Sequence, residues 1–174
     1  MTVRPIVVLG NAVLRKKANK VTRFDDTIRR LVDDMIETMR DAPGVGLAAP
    51  QIGVPLQIAV IEAEKDQIQV LVNPEILKLE GECLPDEGCL SVPGYWAKVR
   101  RAERVTVKAK DAYGKEVRIN GAEGLLGQAL QHEIDHLQGM LYVDRLDSLD
   151  DLQRQRRPEH ARSGQAAEEA APAE

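Results

Sequence analysis

The chain has 174 residues, 43% of them apolar and 30% charged, which is enough for one domain with a sizeable core and too few for two. A formal charge of -4 lacks the Lys and Arg excess of a dedicated nucleic-acid binder, and no apolar run approaches membrane-spanning length. The two cysteines, Cys83 and Cys89, are separated by five residues that include Pro85 and Gly88; they offer no disulfide framework and point to a reducing, cytoplasmic setting.

From the N-terminus, residues 6–9 form a short apolar run followed by a polar, basic stretch at 11–20, which predicts an extended segment entering a loop. The run is shorter than the core of a signal peptide, so the chain is expected to be soluble and unexported. Over residues 25–41, Ile28, Leu31, Val32, Met35, Ile36 and Met39 fall on one stripe, predicting an amphipathic helix capped by Asp25 or Asp26 and ended by Pro43-Gly44. Strand character follows at 57–62, 68–73, 75–79, 99–109 and 116–120, with a hairpin turn at Tyr113-Gly114-Lys115. A second helix is predicted over 122–137, stopped by Gly139. Its periodicity places Leu125, Leu126, Ala129, Leu130 and Leu137 on the side of His132, Glu133 and His136, and turns Gln128, Gln131, Asp135 and Gln138 away. Residues 151–174 are polar and poor in large apolar side chains, and read as a disordered tail after a single domain over 1–150.

The second helix carries His132-Glu133-Ile134-Asp135-His136, an HExxH pattern. At about 100° per residue the two histidines lie some 40° apart on one face, where both imidazoles can bind one metal ion while Glu133 handles protons. The pattern also arises by chance on helices with surface histidines. An inward face argues against chance, because two imidazoles and a carboxylate are costly to bury with nothing bound. A third ligand is then required. The histidine of extended metalloprotease signatures is replaced by Tyr142, and the first downstream glutamate, Glu159, lies beside Pro158 in the polar tail, as does His160. Cys89 follows Asp86-Glu87-Gly88 in a turn-rich stretch; alone it reads equally as a ligand or as a small buried residue, whereas Cys83 reads as structural. The stretch Gly44-Val45-Gly46-Leu47-Ala48-Ala49-Pro50-Gln51 fits neither a phosphate loop nor a dinucleotide fingerprint, but its small residues let a substrate run along the backbone, and Gln51 supplies an amide that can meet an oxyanion.

Three strings stand in order: GVGLAAPQ at 44–51, EGCLS at 87–91 and QHEIDHL at 131–137. Together they resemble the peptide deformylases, over roughly residues 3–149. That resemblance implies an α+β fold with antiparallel β-sheets packed around a central metal-binding α-helix. It implies Cys89, His132 and His136 as metal ligands and Glu133 as general base and acid. It also assigns oxyanion donors to the Gln51 side chain and the Leu90 amide, peptide-pairing backbone to Val45, Gly46 and Gly88, and a methionine pocket to Leu125 and Ala129. The activity implied is hydrolysis of the formyl amide of N-formylmethionyl nascent peptides, with Fe(II) expected in the cell and zinc, nickel or cobalt in a purified sample. Two stretches depart from the family pattern. Tyr95-Trp96 stand where many members have an arginine soon after EGCLS, which affects contacts with outer substrate residues. Arg154 to Arg157 are followed by Pro158 and an acidic tail, so the basic helix with which some members dock on the ribosome is not recognisable.

Overall fold

In the computed structural model, which describes residues 2–154, the first helix begins where the sequence provides a cap. Asp25 accepts hydrogen bonds from the Thr27 and Ile28 amides at 3.1 and 3.3 Å and starts α1 (Asp26–Asp41). Ile28, Leu31, Val32, Met35 and Met39 are buried, as the stripe predicts, and Ile36 is half-buried.

Strands follow as β1 (Gly46–Ala48), β2 (Ile58–Ile61), β3 (Gln69–Glu80), β4 (Asp86–Cys89), β5 (Val92–Lys98), β6 (Arg104–Lys110) and β7 (Glu116–Ala122), with β8 (Gln153–Arg154) after the second helix, α2 (Gly124–Leu137). They form two antiparallel sheets, ordered β1-β2-β3-β6-β7 and β4-β5-β8. Period-two alternation positions the core. On β2, Ile58 and Val60 pack against α1 while Ala59 and Ile61 pack against α2, so both faces of the five-stranded sheet are covered. The α2 helix lies on this sheet, and its Gln128 reaches across to the β4 backbone, donating to the Asp86 carbonyl at 2.8 Å. This is the α+β arrangement around a central helix that the sequence implies.

Several boundaries differ from expectation for local reasons. Residues 68–73 and 75–79 belong to one strand, β3, whose pairing with β6 shifts register between Val72 and Glu75, where Pro74 has no amide to donate and Asn73 takes a φ of 52°. Only residues 104–109 of the predicted 99–109 strand join the large sheet, as part of β6. Before it, the Val99 amide donates to the Pro85 carbonyl, and Arg101 pairs through its backbone with Cys83. Strands β1, β4 and β5 escape a reading by pattern because each is short or broken by glycine and proline.

The assignment of faces on α2 needs correction. Gln131 and Asp135, expected to face away, are 6% and 5% exposed, whereas Leu125, expected inside, is 49% exposed. Periodicity registers apolar residues, not partners waiting on another element. Gln131 exchanges two hydrogen bonds with the Ala102 backbone, each 3.0 Å, and Asp135 receives two arginines. Gly139 ends the helix as predicted, at φ 80°, and a Cβ there would lie 2.9 Å from the Arg15 carbonyl. Residues 151–154, grouped with the tail on composition, close a short 3-10 turn (Leu149–Asp151) and form β8 beside β5. Leu152 packs against the Val92–Tyr142 cluster, a contact a composition count does not register. The remainder of the predicted tail, with Arg156, Arg157, Glu159 and His160, lies outside the described residues.

Candidate metal centre

His132 and His136 project from one face of α2 toward Cys89 at the end of β4. The two Nε2 atoms are 3.2 Å apart, and Cys89 Sγ is 3.3 Å from His136 Nε2. The three ligand atoms all lie within 4.8 Å of one another. Metal bonds of about 2.0–2.1 Å to nitrogen and 2.3 Å to sulfur, at tetrahedral angles, separate such donors by about 3.3–3.6 Å. The spacing fits a single metal ion. So does the chemistry, because one cysteine sulfur and two imidazole nitrogens converging on one point are a donor set that suits a first-row divalent ion such as zinc or ferrous iron.

The ligands are held by partners. Glu87, two residues before Cys89, accepts a hydrogen bond from His132 Nδ1 at 2.6 Å. A carboxylate can only accept, so Nδ1 carries the proton and the Nε2 lone pair is left for the metal. Burial alone would raise the Glu87 pKa, but hydrogen bonds from His132 and Arg101 outweigh it and hold the value at about 2. Arg101 grips Glu87 with Nε and Nη2, at 3.0 and 2.5 Å. Neither Glu87 nor Arg101 is nominated as a site residue by the sequence motifs. The signal available is general: a metal-bound histidine nearly always donates its other ring nitrogen to an acceptor, and Glu87 is the acidic residue nearest Cys89 on the same strand.

Glu133 is 3% exposed, and its Oε2 has no hydrogen-bond partner among the described residues. Burial raises its pKa to about 7. Gly46 lies against it: a Cβ at that position would come within 2.9 Å of the Glu133 carboxyl carbon. Gln51 Oε1 accepts from the Ala48 amide at 2.8 Å, which fixes the amide plane and turns Nε2 toward Cys89 Sγ (3.6 Å) and Ser91 Oγ (3.3 Å). The Ser91 amide also donates to Cys89 Sγ, at 3.4 Å.

These groups border an open cleft of about 580 Å³. Of the site residues nominated from sequence, Val45, Gly46, Gln51, Gly88, Cys89, Leu90, Leu125, Ala129, His132 and Glu133 line it, whereas His136, 1% exposed, does not. Tyr95 also lines the cleft. The edge strands of the two sheets, β1 and β4, both contribute walls, so backbone of each borders the same opening.

Comparison with known proteins gives the same picture over the same span. The chain is 52% identical over 153 residues to a peptide deformylase of Dehalococcoides mccartyi, covering 87% of this chain and 91% of that relative. It is 47% identical over 154 residues to one of Rhizobium meliloti, covering 86% and 88%. Among solved structures, a peptide deformylase from Legionella pneumophila superimposes with a TM-score of 0.83 at 52% identity, covering 86% of this chain and 89% of that one. A Synechococcus elongatus peptide deformylase in complex with actinonin gives 0.81 at 42% identity, covering 85% and 81%. The sequence model described as polypeptide deformylase matches residues 3–152, and the chain belongs to that family.

Proposed function

We propose that this chain removes the formyl group from N-formylmethionyl nascent peptides, releasing formate and a free amino terminus, with Cys89, His132 and His136 holding one divalent metal ion. The observation that carries this reading is the convergence of the thiol and two imidazoles beside the buried, unpartnered carboxylate of Glu133. A metal bound there supplies Lewis-acid activation of water and of the amide carbonyl. Glu133 Oε2 takes the proton from the attacking water and delivers it to the leaving amine. Burial, which raises the Glu133 pKa, favours the protonated form from which the proton is delivered. The Gln51 amide, held in orientation by Ala48, donates to the oxyanion, and the Leu90 backbone N–H is the second donor.

The edge strands support an extended substrate. Val45 and Gly46 on one side and Gly88 on the other pair with peptide backbone, while Leu125 and Ala129 border the methionine side chain. Ferrous iron is the proposed native metal, with zinc, nickel or cobalt able to replace it at a Cys-His-His site. The catalytic domain is residues 1–150, extended by the short strand β8, and the protein acts in the cytoplasm. No helix among the described residues is long and apolar enough to cross a membrane.

Glu133→Gln tests the reading, because it keeps the shape of the side chain and removes the base. The variant should bind one metal per chain and lose about 10²- to 10⁴-fold in kcat. Turnover within a factor of about three of wild type, with metal bound, would overturn the role given to Glu133.

A further inference from the structure

A buried chain of alternating charge runs from His132 to the surface. His132 donates to Glu87, Glu87 is gripped by Arg101, Arg101 Nη1 donates to Asp135 Oδ2 at 2.6 Å, and Arg145 completes the chain. Arg145 sits in the 3-10 turn Tyr142–Arg145 after α2 and donates to both Asp135 oxygens, Nε at 2.5 Å and Nη2 at 2.6 Å. The side chains of Glu87, Arg101 and Asp135 are 3%, 1% and 7% exposed, whereas that of Arg145 is 37% exposed.

We propose that Arg145, an arginine at the protein surface, is a positioning residue for the metal centre and acts through Asp135, Arg101 and Glu87 on His132. Two carboxylates in this network are matched by two guanidiniums. Without Arg145, Arg101 alone must serve both Glu87 and Asp135, and one carboxylate in a nearly dry interior loses its counter-charge. Asp135 then competes with Glu87 for the Arg101 guanidinium. Glu87 is the group that fixes the His132 tautomer and ring plane, so its displacement loosens a metal ligand. Asp135 is itself about one turn from His132 on α2 and adjacent to His136, so a shift at its carboxylate also strains the segment that carries both histidines. Arg145 does not line the cleft; its influence is on metal retention and ligand geometry.

This inference rests on the metal-centre reading, and the two fail differently. The test uses the full chain loaded with Co(II), and follows metal loss to a chelator and the visible absorption of the thiolate-bound cobalt. Arg145→Ala should lose metal about tenfold faster than wild type, the lower end of what removal of an outer partner costs, with a shifted cobalt spectrum. Arg145→Lys, which keeps the charge but not the two-pronged grip, should lie between. In an Asp135→Asn background, Arg145→Ala should add nothing, because its route to the metal is gone. Unchanged metal loss and spectrum in Arg145→Ala would overturn the proposal, as would an equal effect in both backgrounds. If Arg145→Ala does not fold, the Lys variant decides by the same two readouts: wild-type values contradict the proposal. Failure of the wild-type chain to hold one cobalt through Cys89 would instead overturn the metal-centre reading.

Discussion

Gly46 is fixed by the glutamate opposite it. Any Cβ there enters the space of the Glu133 carboxyl group, coming within 2.9 Å of Cδ and 3.0 Å of Cγ, so Gly46→Ala must push the proton-handling atom out of place. A displacement of about 1 Å costs on the order of 10²-fold in rate. Gly46→Ala is therefore expected to lower kcat/KM by about that factor while metal content stays at one per chain. A wild-type rate from a folded variant would show that the position of Glu133 is not critical. Residue types at the centre are legible from sequence because each carries its own chemistry: the motifs pick out Cys89, His132 and His136, which converge, and Gln51 and Glu133, which line the same cleft. Glu87 and Arg101 are not legible in this way. Their task depends on which elements meet, and Arg101 reaches Glu87 only because the chain crosses between sheets at 99–103, a stretch that reads as continuous strand.

Among the elements, α1 is readable from end to end because one apolar stripe and one capping aspartate agree. The β4–β5 hairpin is not, since Gly88, Pro93 and Gly94 conceal strands that are defined by their pairing with each other and, for β5, with β8. The N-terminal segment shows how an element without regular structure is secured. Val7 and Leu9 donate to the Gln51 and Ser91 carbonyls at 2.8 Å, so the segment braces two residues beside the metal ligands. Arg4 pins it to α1 through Asp34, whose pKa is lowered by the Arg4 hydrogen bonds. A carboxylate held below its ordinary range stabilises the fold above that range, and the stabilisation is lost as the pH falls through the folded-state value. Asp34→Asn should accordingly lower Tm at pH 7, and the gap from wild type should close in acid. Thermal melts across the pH range check this, and a gap that does not change with pH would contradict it.

At the scale of the whole molecule, α2 is enclosed. Sheet lies on one side, β4 on another, and the turn at Tyr142–Arg145 closes the end, so every position from Ala129 to Leu137 is buried, the polar ones included. The site is therefore part of the core, and metal binding should register as stability. A metal at 100 times its dissociation constant adds about 2.7 kcal/mol to the folded state, which raises Tm by roughly 5–11 °C for a domain of this size. Chelation should reverse that rise, and a Tm indifferent to chelation would place the metal outside the folded core. This site is expected to cleave a formyl amide and not an internal peptide bond, as an HExxH peptidase would. The most direct test is to incubate the metal-loaded protein with a short N-formylmethionyl peptide and measure formate together with the peptide's mass. Formate and intact deformylated peptide in equal amounts are the predicted result; internal fragments, or no formate from protein holding one metal per chain, would contradict it.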